Sequence, residues 1–226
     1  MVSGFLPSCV PKRLFVANSP SNCHRITCFG TFTLIKFVAS NFHFINIATG
    51  ALRQIVITME QEVFVEMVLT AWHKYQEQLD DFFDDLPDDD FDIEVYPGKN
   101  RVRYIIGHLT AVNDGILTLL GAREPLYPEL VDEFLIKSYR VGNSEHSIND
   151  LRIYWRNVNR TLTTYFSTMP LSEWFEKNAS ISNEDFQREP HCNKLNIVLT
   201  KTHHLVYHLG QLTLLNSKIR NLASRN

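Results

Sequence analysis

Two histidines four residues apart, His204 and His208, stand in the stretch Lys201-Thr202-His203-His204-Leu205-Val206-Tyr207-His208-Leu209-Gly210-Gln211-Leu212. On a helix, residues at that spacing share one face, with Cβ atoms about 5–6 Å apart. Two imidazoles so placed can hold one metal ion. A third from another helix completes a site with three protein ligands and one position open for water or substrate. His108 is the candidate third ligand, because it falls among apolar residues at helical spacing. The ion would act as a Lewis acid, or would lower the pKa of a bound water or thiol. The stretch is not HExxH: Leu205 stands where the Glu of a zinc peptidase would be, so that mechanism lacks its general base. A plainer reading competes. An inward histidine is commonly a satisfied core residue, and pairs at i, i+4 arise by chance in a chain with nine His.

The elements that must position these residues are helices. Val65, Val68, Trp72, Tyr75, Leu79 and Phe82 recur at three- and four-residue steps, which predicts a first amphipathic helix beginning at Met59 and stopped at Leu86-Pro87. Glu60 and Glu62 would then favour its first turn. A second helix is predicted from about Lys99 to Leu120, with Ile105, His108, Val112, Ile116 and Leu119 on its inward face and Gly121 as its stop. Residues 122–146 form a long connection with Pro125, Pro128 and Gly142, and a short helical turn around Glu129 to Ile136. A connection of that length can cover a site, and it lets the third helix run parallel to the second. The third helix starts at Ser147, capped with Asp150, buries Leu151, Trp155, Val158, Leu162, Tyr165 and Met169, and ends at Pro170. Residues 171–192 are mixed, anchored by Trp174 and Phe175. The fourth helix, about Asn193 to Ser217, carries Ile197, Lys201, His204, His208, Gln211 and Leu215 on one face. The fold class is therefore all-α, a four-helix bundle with a long crossover between the second and third helices.

Composition narrows the function. The chain has 226 residues, 44% of them hydrophobic, enough for a globular domain with a sizeable core. Its net charge of −3 speaks against a general nucleic-acid binder. The charge is uneven: residues 1–58 hold no Asp or Glu and five basic residues, Lys12, Arg13, Arg25, Lys36 and Arg53. Residues 1–58 accordingly read as separate from a domain at 59–226. They are a disordered or targeting segment, an extension upstream of a true start at Met59, or an element of their own. The uncharged run from Phe37 to Leu52 is too short and too polar for a membrane span. Cys9, Cys23, Cys28 and Cys192 form no CxxC pair, which excludes a cysteine zinc site and a disulfide framework and makes a reducing cytoplasm the default. The acidic link from Asp88 to Asp92 lacks the EF-hand spacing and reads as a solvated turn.

Gly107-His108-Leu109 in the second helix, after Tyr96-Pro97-Gly98, and His204-xxx-His208-Leu-Gly-Gln-Leu in the last helix resemble the DinB/YfiT-like superfamily. The resemblance covers about Met59 to Leu215. It implies a four-helix bundle, often dimeric, with a divalent metal, zinc or nickel, held by His108, His204 and His208. It also implies activation of a low-molecular-weight thiol for S-transfer or isomerisation. Some members lack the ligands, whereas all three are present here. Because a fold does not carry its reaction with it, two readings stay open. One is a cytoplasmic metal-dependent enzyme, an S-transferase or hydrolase, whose metal-activated thiol or water attacks a small electrophilic substrate. The other is a non-catalytic dimeric stress or binding bundle with a structural or vestigial metal site. Direct DNA binding, suggested only by the family's name, runs against the acidic balance.

Several neighbours of the triad have weaker claims. Gln211, one turn beyond His208, would hydrogen-bond a ligand or else another helix. Gly210 would allow a close helix approach. Asn113 and Asp114 lie near His108 in sequence and would orient a ligand. Tyr207 and His203 fall off the ligand face, and His73 is expected on an exposed helix position.

Overall fold

The structure, a computed structural model, describes residues 35–136 and 145–223, with side chains from residue 53 to residue 215 within those ranges. Five α-helices are present among the described residues: α1 (Ile35–Asp85), α2 (Val102–Leu119), α3 (Ile148–Thr168), the short α4 (Asn183–Arg188) and α5 (Lys194–Ala223). The two isolated bridges, Glu94 with Arg101 and Lys177 with Asn193, form no strand. The described part is thus all-α, with four long helices packed as in a bundle. The chain divides into two compact units whose boundary falls in α1 between Phe64 and Val65, and the core and site described below belong to the part from Val65 onward.

The helix expected from Met59 begins at Ile35 instead. No proline lies between Pro20 and Pro87, so nothing in the covalent chain stops it earlier. Glu60 and Glu62 therefore sit inside the helix and not in its first turn. Residues 1–34, the rest of the segment read as separate, lie outside the described residues. The apolar stripe is as read: Val65, Val68, Trp72, Leu79 and Phe82 are buried, with Tyr75 packed at the edge.

Helix directions follow from two sets of contacts. Arg103 donates to the His146 carbonyl at 3.1 Å and Asn113 Nδ2 to Asn159 Oδ1 at 2.9 Å, so the pairs advance together and α2 and α3 run parallel. Between α1 and α3 the order reverses. Trp155 Nε1 donates to Asp80 at 2.5 Å, Arg156 pairs with Asp84 at 2.5 Å, and Trp72 meets Phe166 edge to face at 5.8 Å. The long crossover that permits the parallel pair was expected. So was the start of α3, where Ser147 and Asp150 close a reciprocal capping box.

The Asp88–Asp92 link is a 3-10 turn pinned by Phe91, which is fully buried. Its acids are partly paired, Asp92 with Arg103 at 2.9 Å and Asp88 with Arg152 at 2.5 Å. In the 171–192 stretch, Trp174 is buried and Phe175 packs against the core, as expected, while α4 has no counterpart in the periodicity reading. Cys192 is buried and disulfide-bonded. Among the described residues, no helix is long and apolar enough to cross a membrane.

Candidate metal centre

α2 and α5 bring the three histidines together. Gly107-His108 lies mid-way along α2, and His204 and His208 share a face of α5, so their side chains meet between the two helices. His204 Nε2 lies 3.2 Å from His108 Nε2 and 3.0 Å from His208 Nε2. His208 is buried, and His108 and His204 are half-buried. Separations of this size suit imidazoles that share one ion at about 2.0–2.1 Å.

The outer nitrogens decide what the inner ones offer. His108 Nδ1 is 3.0 Å from the Phe134 carbonyl oxygen, which can only accept, so the proton of His108 is on Nδ1. His208 Nδ1 is 2.9 Å from Gln211 Oε1, with the same consequence. Both rings therefore point an Nε2 lone pair inward, the form in which imidazole binds metal, with the second-layer acceptor that such ligands usually have. His204 Nδ1 has no partner among the described residues. Neutral His204 has one proton and faces two acceptors, so at least one inner contact is lone pair against lone pair. A cation satisfies all three nitrogens at once.

A proton is a poor substitute for that cation. Burial lowers His108, and the nearby Lys201 ammonium lowers it further, against the Phe134 carbonyl, which raises it. His204 is lowered to about 3, mainly by burial and then by the charges of His208, His108 and Lys201. His208 is lowered to about 4 by burial and His108, with the Gln211 hydrogen bond opposing. The three rings are neutral at pH 7. Among the described residues this is the group best placed to hold an ion. A second cluster, Glu189, His191 and Cys192, has an exposed His and a sulfur already in a disulfide.

Comparison with models of known protein families gives no match, and a search of curated proteins finds no similar sequence. The geometry therefore stands by itself: an all-helical domain with a buried three-histidine group that could hold a metal.

Residues outside the triad position it. Phe134 lies in the crossover, in a one-turn π-helix at Asp132–Ile136. Its buried ring covers Gly107, where a Cβ would come within 2.3 Å of it. Its carbonyl accepts from His108 and, at 3.0 Å, from the Tyr104 hydroxyl. The Tyr104 ring stacks on His108 at 5.7 Å. Gln211 serves His208, as expected, and its amide nitrogen donates to the Tyr207 hydroxyl at 3.1 Å. Three expectations change. Gly210 makes no close approach, since a Cβ there meets open space; the tight glycine is Gly107. Asn113 pairs with Asn159 in place of a ligand. Asp114 accepts the backbone N–H groups of Leu126 and Tyr127 at 2.8 and 2.7 Å, which clamps the start of the crossover. His203 and His73 are exposed and away from the triad, whereas Tyr207, also exposed and expected off the ligand face, packs its ring edge to face on His208 at 5.0 Å. Phe134, Tyr104 and Gly107 were not singled out by spacing. A lone aromatic in the acidic Asp132-Glu133-Phe134 run was the available signal.

Proposed function

We propose that the chain is a metal-dependent enzyme of the DinB/YfiT-like type. In this reading His108, His204 and His208 hold a divalent metal, zinc or nickel, at which a low-molecular-weight thiol or a water attacks a small electrophilic substrate by S-transfer or hydrolysis. The observation that carries it is the convergence of three neutral Nε2 atoms, two of them turned inward by acceptors on Nδ1. The bound ion would supply Lewis-acid activation of the thiol or water. Imidazole-only donor sets suit zinc, nickel, copper and iron, so the donors favour a class and not one element.

The protein's own residues, the Phe134 carbonyl and Gln211, hold the ligand tautomers. Leu205 is fully buried in the core, so no carboxylate base stands at that helix position. The described residues offer no free thiolate, because Cys192 is disulfide-bonded. A thiol nucleophile would therefore enter with a co-substrate. A homodimer belongs to the same reading and is supported by Ile55, Met59 and Val63, exposed apolar side chains at four-residue steps on α1.

Metal analysis of the purified protein beside His204→Ala tests the reading. About one ion per chain is expected in the wild type and little in the variant. Equally low metal in both removes the proposal. Bound metal whose chelation changes stability, with no thiol transfer or hydrolysis in any assay, would favour the non-catalytic bundle.

A further inference from the structure

Three side chains of α5 close a triangle at the solvent edge of the metal centre. The Tyr207 ring meets the His208 ring edge to face at 5.0 Å. His208 Nδ1 donates to Gln211 Oε1 at 2.9 Å, and Gln211 Nε2 donates to the Tyr207 hydroxyl oxygen at 3.1 Å. His208 is buried, Gln211 half-buried and Tyr207 exposed, so the triangle runs from a ligand to the surface. A like triangle stands at His108. The Tyr104 ring stacks on that imidazole at 5.7 Å, and the Phe134 carbonyl oxygen accepts from His108 Nδ1 and from the Tyr104 hydroxyl, each at 3.0 Å. His204 has none: among the described residues its ring meets only the other two imidazoles.

The two triangles differ in what fixes the acceptor. The Phe134 oxygen belongs to the backbone and stays where the crossover puts it. The Gln211 amide ends a flexible, half-buried side chain that can turn to water. A hydroxyl serves either end of an amide, so Tyr207 does not choose the end. It holds the amide within reach of Nδ1, whose proton then takes the oxygen. The ring packed on His208 gives that hydroxyl a set place, which a surface water lacks. Which ring nitrogen of a histidine carries the proton is set by the hydrogen bond that the other makes. We propose that Tyr207 is a positioning residue of the centre: its hydroxyl holds the Gln211 amide on His208, and so keeps the Nε2 lone pair of that ligand turned to the ion. The role deepens the metal reading above and rests on it.

Tyr207→Phe keeps the ring on His208 and removes only the oxygen. Long-range proton–nitrogen NMR correlations of the zinc-free protein read which nitrogen of His208 is protonated, the signal being assigned by its loss in His208→Gln. The wild type is expected to carry the proton on Nδ1, and Tyr207→Phe to divide it between Nδ1 and Nε2. Zinc competition should show Tyr207→Phe binding about three- to tenfold more weakly, the size of one hydrogen bond. The same change made in Gln211→Leu should cost nothing further, because residues that act through one another are not additive. A wild type with the proton on Nε2 overturns the inference, as does a proton that stays on Nδ1 in Tyr207→Phe. So does a zinc loss that is absent in Tyr207→Phe or just as large without Gln211. Each of these results leaves zinc binding by the wild type, and with it the metal reading, intact. A wild type that binds no zinc overturns the metal reading, and the position of the His208 proton then decides by itself whether Tyr207 anchors the amide.

Discussion

Gly107→Ala tests how the site is held together. The added Cβ would stand 2.3 Å from Phe134 Cε1 and 2.5 Å from Cδ1 and Cζ. The ring is buried and has no free end to swing away, so it must shift, and the Phe134 backbone with it. Overpacking of this kind costs about 1–3 kcal/mol. In a domain of this size that lowers Tm by about 2–4 °C per kcal/mol. The consequence for the site is separate. The Phe134 carbonyl holds His108 Nδ1 at 3.0 Å, and a hydrogen bond of that length tolerates little displacement. Loss of such an outer partner weakens metal binding about 10–100-fold, or about 1.4–2.8 kcal/mol. Zinc competition against a chromogenic chelator reads the affinity, and melting of the metal-free protein reads the stability. Gly210→Ala is the control, because its Cβ meets open space. It should leave zinc affinity unchanged and stabilise the helix by about 0.5–1 kcal/mol. If Gly107→Ala binds zinc as tightly as the wild type, the Phe134 carbonyl does not hold His108 in its ligand form. Equal losses in both variants would also refute the argument.

Gln211→Leu should weaken zinc about 10–100-fold while changing Tm little, because it frees the His208 ring without emptying the core; an unchanged zinc affinity would show that the amide plays no part. The metal-free protein should lose stability on acidification. The unfolded histidines take up protons near pH 6.5, whereas folded His204 and His208 resist until about 3 and about 4. Between those limits the unfolded state binds more protons, so stability falls as pH falls. Denaturant midpoints at pH 7 and pH 5 check this, and a midpoint that rises on acidification contradicts neutral buried imidazoles.

Much of the arrangement was legible in the residue pattern, for identifiable reasons. The triad showed because His108 falls on the apolar stripe of α2 and His204 and His208 stand four apart in α5, and because Pro87, Gly121 and Pro170 mark where helices stop. Ser147 and Asp150 carried their capping geometry in their types. The length of α1 did not show, since the polar interruptions upstream of Met59 hide a run that contains no proline. The role of Phe134 was hidden for a deeper reason. What serves His108 is a backbone oxygen, which every residue has, and its place depends on how the crossover returns to α2. The same return separates Gly107 from Gly210, two glycines beside histidine-bearing turns that the pattern alone cannot rank. The role of Asp114, which accepts the N–H groups of Leu126 and Tyr127, was hidden because sequence proximity to His108 does not say which way a helix face turns.

The single oxygen of Phe134 ties the crossover to the histidines, and coupling of this kind is reciprocal. If an ion stabilises the His108 tautomer that this oxygen accepts from, the ion also stabilises the ordered crossover, by the same free energy. Anything that docks on or loosens residues 127–136 would then change metal affinity by the factor with which metal changes the docking. The connection between the second and third helices is in this sense an input to the site as well as a cover for it.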